Sequence, residues 1–224
     1  KIFMSVKHLS IMKNIESYKK GTIRSDNKRN SNLKLINSAI KSISERGINE
    51  TTMLNVSKGA GLSHGIVNFH FKSKELLLIE TLKFISNEYL EEFQKKLLKA
   101  KKNPEKKIIA IINNDFDKNI CNRDKVAVWY TFFSEVKFKP VYLQICKERD
   151  EYYNQVAETI IQELIDREKN KNLSAKQLAT SLSALTLGLW LNQLVDSENF
   201  KRSDAKKICF NFIRTNFPKQ FKGY

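Results

Sequence analysis

The chain has 224 residues, long enough for one large or two small domains whose core needs no covalent staples. Seven Gly and three Pro are few for this length, and Lys, Glu, Leu, Ile, Asn and Ser dominate, a mixture that favours long helices and speaks against a turn-rich β fold. A net charge of +16 and a pI near 9.7 point to a polyanionic partner, nucleic acid or an anionic membrane surface. The charge is densest early: through Lys72 there are thirteen Lys/Arg against four Asp/Glu, leaving twenty-seven against twenty for the rest. Cys121, Cys146 and Cys209 are far apart and show no CxxC or metal-ligand spacing, so a reduced, cytoplasmic protein with no metal and no cofactor is expected. No apolar run approaches transmembrane length, and Ser5, Lys7, His8 and Lys13 interrupt the opening apolar patches, which argues against a signal-peptide core and a membrane location.

In chain order, residues 1–31 lack sustained periodicity and read as a basic arm, or as a disordered leader. From Asn32, Leu33, Ile36, Ala39, Ile40 and Ile43 mark one helical face, which Gly47 ends. Thr51 or Thr52 caps a second, short helix with Met53, Val56 and Ala60 inward, and Gly61 supplies a tight turn. Ser63 caps a third, very short helix carrying Ile66, Val67 and Phe69. Two short helices about a Gly-centred turn form a helix-turn-helix, because only a residue at ease with positive φ turns so sharply there.

Ser73 caps a long fourth helix with Leu78, Leu82, Ile85, Tyr89, Phe93 and Leu97 on one face, linking two domains. Asn103 and Pro104 start a fifth with Ile108, Ile112 and Phe116 inward. A sixth carries Val126, Trp129, Phe133 and Val136, and a seventh, past Pro140, carries Tyr153, Val156, Ile160 and Leu164. Ser174 with Gln177 forms a capping box at the start of an eighth helix that is apolar on every side, and a last helix runs from Ser203 toward Pro218. A helix apolar all round must be buried all round. Leu182, Leu185 and Leu189 with Ile208 and Phe212 of the last helix would achieve this against a second subunit, in a four-helix homodimer interface; a central core helix of a monomer is the alternative.

The fold expected is therefore all-α: an N-terminal helix-turn-helix three-helix domain over residues 32–77, a helical ligand-binding and dimerisation domain over 78–218, and a tail over 219–224. The run from Thr51 to Leu77, with its paired Thr, Ala60-Gly61-Leu62-Ser63 turn, Gly65, His70-Phe71 pair and Ser73-Lys74-Glu75, resembles the DNA-binding signature of the TetR family of transcriptional regulators. Physics points the same way. Lys74 sits in the first turn of a helix, where the dipole already presents positive potential and only an anion such as a DNA phosphate relieves the conflict. Thr51 and Thr52 are placed to hold a second phosphate, and simple capping is the alternative role for Thr52. Base reading falls to the outer face of the third helix, His64, Gly65, Ile66, Asn68 and Phe69, with Asn68 toward adenine and Ile66 and Phe69 toward thymine methyls, and the capping Ser63 belongs to the same DNA-binding set. His70 is a packing residue or a phosphate donor. Many TetR relatives carry Tyr where Asn68 stands.

Further segments, Asn114 to Asp117, Ala127 to Phe133, Lys139 to Tyr142, Ala184 to Leu191 and Asn211 to Arg214, look like the ligand-binding domain of the choline-responsive BetI subfamily. The resemblance implies a ligand-released repressor that controls choline and glycine betaine metabolism by binding palindromic operator DNA. It makes choline or another quaternary ammonium compound the effector, because Trp and Tyr faces attract a desolvated cation. Trp129, Tyr130, Phe133 and Trp190 are the candidate rings, with Asp115 or Glu135 as counter-charge; ordinary core packing is the alternative for all four rings, and an unrelated hydrophobic ligand is the alternative effector. No nucleophile, acid/base pair or phosphate loop stands at a telling spacing, so catalysis is not expected. A sequence-neutral, basic nucleic-acid-binding or architectural protein would also carry this charge, as would one recruited to a membrane by its arm.

Overall fold

The computed structural model describes residues 23–169 and 172–222, with side chains from Asp26 onward. Among the described residues there are nine helices and no strand. The first, α1, spans Ile23–Glu50; α2 is Met53–Gly59, α3 His64–His70 and α4 Lys74–Lys99. The body follows as α5 (Pro104–Asp115), α6 (Arg123–Glu135), α7 (Pro140–Glu168), α8 (Ala175–Val195) and α9 (Arg202–Asn216).

Local chemistry accounts for most of the boundaries. Thr52, Ser73, Asn103, Asn122 and Ser174 each stand one residue before a helix, and each side chain accepts a hydrogen bond from the N–H three residues on. Pro104 and Pro140 occupy first-turn positions, where the missing N–H costs nothing. Gly47 (φ 77°) breaks α1 internally, so that its last turn sets off in a new direction, and Gly61 (φ 65°) makes the turn between α2 and α3. Ser63 stands at the N-cap of α3 without making a side-chain capping bond.

Two expectations are corrected. Helix one begins at Ile23 rather than at Asn32, so residues 23–31 continue α1 and are not an irregular arm; residues 1–22 lie outside the described residues. The extra turns gain tertiary partners that polarity alone does not reveal. Ser31 Oγ lies 2.8 Å from His70 Nε2, and Lys28 Nζ sits 5.3 Å from the centre of the Phe69 ring, both at the end of α3. The second correction concerns α8, which is the one helix among the described residues long and apolar enough by composition to cross a membrane. It is also a core helix: Leu178, Ala179, Leu182, Thr186, Trp190 and Gln193 are buried within the chain.

The core runs unbroken between the two halves. Leu35, Ile36, Ala39, Ile40 and Ile43 of α1 pack with Val56, Val67 and Phe71 beneath the helix-turn-helix, and α4 carries the same core onward through Leu78, Leu82, Ile85, Tyr89 and Phe93. α1 packs on α6, where Ser44 Oγ donates to Asp124 at 2.8 Å, and Lys139 of the α6–α7 turn pairs with Glu75 of α4 at 3.5 Å. The head therefore rests on the body through the α1–α6 packing, besides the shared α4 and the Lys139–Glu75 pair at its start.

Candidate DNA interface and effector core

The helix-turn-helix turns its predicted reading face to solvent. Val67 is fully buried and anchors α3 to the core, while Ser63, His64, Gly65 and Asn68 are exposed, Phe69 is 69% exposed and Ile66 is half-buried. The exposed Phe69 ring meets the Lys28 ammonium and stands edge-on to His70. His70 is half-buried between Ser31 and the rings of Phe69 and Phe71, and burial together with the nearby Lys28 ammonium holds its pKa below the ordinary value, favouring the neutral ring.

The helix tips beside α3 divide in their roles. Thr52 is exposed and caps α2 by accepting from Asn55 N–H at 3.1 Å. Thr51 is fully buried, its hydroxyl donating to the Gly47 carbonyl at 2.8 Å and lying 3.1 Å from Ser42 Oγ. The placing of Thr51 on a phosphate is therefore corrected: its hydroxyl is committed to bracing the α1 kink. Lys74 lies at the start of α4, and its ammonium donates to the Asn49 carbonyl at 2.8 Å. That carbonyl provides the partial negative charge that a first-turn cation needs when no phosphate is present.

In the body, polar groups converge where no water reaches. Asp115, at the end of α5, is fully buried; its carboxylate accepts from Tyr89 Oη at 2.6 Å, Tyr153 Oη at 3.2 Å and Thr186 Oγ1 at 3.2 Å. Its backbone carbonyl accepts from Trp190 Nε1 at 2.9 Å. Burial dominates the three hydroxyl bonds and raises the Asp115 pKa to about 6, and burial likewise pushes the Tyr89 and Tyr153 phenols up.

Next to this cluster, three rings form a cage around a cation. The Arg149 guanidinium of α7 lies 4.4 Å from the centre of the Trp129 ring, 5.2 Å from Tyr89 and 5.9 Å from Phe133. Of the four predicted rings, Trp129 and Phe133 line the cage. Trp190 stands behind it, edge-on to Tyr89. Tyr130 is tied to α8 by a short hydrogen bond from its hydroxyl to the Leu187 carbonyl, with its ring edge-on to Phe133. Arg149 and Tyr89 are the members that sequence reasoning missed. The signal was there for Arg149: the buried stripe of α7 runs Tyr142, Cys146, Arg149, Tyr153, and a charged residue on such a stripe has to find an unusual partner.

The predicted subunit face is partly redrawn. Leu182 is fully buried within the chain, because α8 turns it toward the core alongside Ala179 and Thr186, so it does not face outward. Leu185 and Leu189 are half-buried beside exposed Ser181, Ala184 and Gly188. Ile208 is 45% exposed on α9 and Phe212 is half-buried.

A helix-turn-helix head with an outward reading helix, carried by a long helix into an all-helical body with its own buried polar centre, defines a helix-turn-helix transcriptional regulator. Residues 35–81 match the profile of the bacterial regulatory proteins of the tetR family, and residues 104–218 match that of the BetI-type transcriptional repressor C-terminal domain. The chain belongs to the TetR family of transcriptional regulators and carries the BetI-type C-terminal domain. It is similar to the HTH-type transcriptional regulator BetI of Yersinia pestis (strain Pestoides F), at 28% identity over 191 residues, covering 84% of this chain and 93% of that protein. The protein of the same name from Pectobacterium carotovorum is 26% identical over 182 residues, covering 80% and 90%. Among solved structures, the fold is shared with a transcriptional regulator from Pseudomonas aeruginosa PAO1 (TM-score 0.72, 18% identity, 84% of this chain and 90% of that one). It is also shared with one from Saccharomonospora viridis solved in complex with choline (TM-score 0.70, 19% identity, 86% and 97%).

Proposed function

We propose that the protein is a cytoplasmic, non-catalytic, ligand-released repressor acting as a homodimer on palindromic operator DNA, with a quaternary ammonium compound such as choline as its effector. The observation that carries the DNA half is the α3 surface: Val67 fixes the helix from beneath while His64, Gly65, Asn68 and Phe69 face outward. Asn68 hydrogen-bonds a base edge, Ile66 and Phe69 touch thymine methyls, and Thr52 and Lys74 grip phosphates on either side. Ser63 and His70, at the two ends of α3, contribute polar groups to the same surface.

The dimer forms through Leu185, Leu189, Ile208 and Phe212, with Gly188 letting the second copy of α8 approach closely: a Cβ there would meet nothing within 4 Å in the protomer. The effector half rests on the cage of Trp129, Tyr89 and Phe133, beside the Asp115 cluster. Tyr89 belongs to α4, the helix whose first turn holds Lys74. A change in the cage therefore reaches the reading head along one rigid element and alters the separation of two heads placed in successive major grooves.

Fluorescence anisotropy on a palindromic operator and on random duplex, across a salt series, tests the reading. A specific-to-random affinity ratio of roughly 10³ or more, lost on adding millimolar choline, is the expected result. Equal affinity for both duplexes at every salt concentration would make the protein a sequence-neutral binder instead.

A further inference from the structure

The effector cage already holds a cation, and that cation belongs to the chain. Arg149 is 5% exposed, its Nε makes no hydrogen bond, and its ion pair is a short one to the neighbouring Asp150, whose side chain is 42% exposed at the rim. A guanidinium so buried and so incompletely hydrogen-bonded is costly unless something replaces its water. Here the replacement is the faces of Trp129, Tyr89 and Phe133. Those same faces are what an onium ligand needs. Two cations within about 5 Å in a poorly solvated space repel strongly, so the guanidinium and an onium group cannot share the cage.

We propose that Arg149 is a tethered occupant of the effector site, and that a quaternary ammonium ligand binds only by displacing the guanidinium from the Trp129 face into solvent, where its pairing with the half-exposed Asp150 can be kept. This rests on the reading of the cage as the effector site. It assigns Arg149 a role in setting sensitivity: the apparent affinity for ligand is the intrinsic affinity scaled by the fraction of time the guanidinium is out. If that fraction is about 1–10%, the effector concentration needed for response rises roughly tenfold to a hundredfold. It also supplies the stroke. Exchange moves a charge on α7 away from Tyr89 on α4, so occupancy by ligand and occupancy by Arg149 present different partners to the helix that carries the head.

The test is calorimetric titration of the full chain, without DNA, using tetramethylammonium and methylguanidinium as probes. Arg149→Ala is expected to bind tetramethylammonium at least tenfold more tightly than wild type, about 1.4 kcal/mol. It is also expected to bind methylguanidinium at concentrations where wild type does not, with both gains abolished by adding Trp129→Leu. Equal affinities in wild type and variant, or no binding of either probe to the variant, overturn the proposal. Should Arg149→Ala fail to fold, Arg149→Gln keeps most of the volume without the charge, and the same ordering with a smaller gain is required. The outcome is separable from the repressor reading: if choline never releases wild type from DNA while Arg149→Ala gains its onium site, repression by choline falls and the tethered occupant stands.

Discussion

In the reading head, Thr52 and Ser73 satisfy backbone N–H groups three residues away and stay in contact with solvent, whereas in the body Asp115 collects hydroxyls from α4, α7 and α8 and sees no solvent at all. The same chemistry, an oxygen accepting hydrogen bonds, thus serves opposite ends. Head groups are held by local bonds and keep their contact with water. Body groups are held by the whole fold, so any change there is felt by several helices at once. Substitutions should accordingly separate into two kinds, body changes that alter folding and head changes that alter binding.

The sharpest attempt to break that division is Trp190→Ala. Trp190 is 1% exposed, and its indole N–H satisfies the Asp115 carbonyl, so truncation both opens a cavity and orphans a buried acceptor. We expect a loss of roughly 3–5 kcal/mol in urea unfolding, against less than about 0.5 kcal/mol for Asn68→Ala on the exposed head. Comparable losses at the two sites would erase the distinction.

Asp115 sharpens it through pH. A buried carboxyl with its pKa raised to about 6 keeps a proton that the unfolded chain, near 3.8, has already released. Its stabilising contribution is complete below about pH 4 and is lost as pH rises through about 6, a swing of roughly 3 kcal/mol over that window. Asp115→Asn does not titrate, so the stability of wild type relative to the variant should fall across that range. Parallel pH profiles for the two proteins would show that the three hydroxyls offset burial, and a rise in the relative stability of wild type would show that they outweigh it.

The division also explains what was readable from sequence. Gly47, Gly61, Thr52, Ser73 and Ser174 act within a few residues of themselves, and the helices they end or begin lie close to where their spacing puts them. Thr51 was misjudged because its burial depends on Ser42, which returns to it across the kink. Leu182 and Leu185 sit on one uniformly apolar helix, and nothing local says which of them faces its own core. The same holds for Ser31 and His70, far apart in sequence yet in contact, and it is why the polar run 24–31 carries no helical signal of its own. For Arg149, the apolar stripe of α7 includes Tyr142 and Cys146 and passes over a guanidinium whose ring partners lie on α4 and α6, which nothing local to α7 reveals.

On the head itself, Asn68→Ala should leave affinity for random duplex nearly unchanged and relax preference at one base pair by about 1–3 kcal/mol, read from anisotropy on a panel of single-substituted operators. An equal loss on every duplex would remove Asn68 from base reading and leave it a neighbour of the phosphate rail.

Lys74→Ala should have the smallest effect and the plainest signature. In free protein the ammonium is held by the Asn49 carbonyl at 2.8 Å, at a helix start whose dipole disfavours a cation by about 0.3–1 kcal/mol. Removing it therefore costs the fold little, since the lost hydrogen bond and the relieved dipole nearly offset. If Lys74 meets a phosphate on DNA, a full negative charge replaces the partial one of the carbonyl, and a condensed counterion is released. The variant should bind operator and random duplex more weakly by the same factor, with the slope of log affinity against log salt shallower by about one. A loss confined to the operator would mean that Lys74 positions α3 through the Asn49 carbonyl and takes no phosphate, shifting that contact to Lys72 or Lys58, both exposed beside the reading helix.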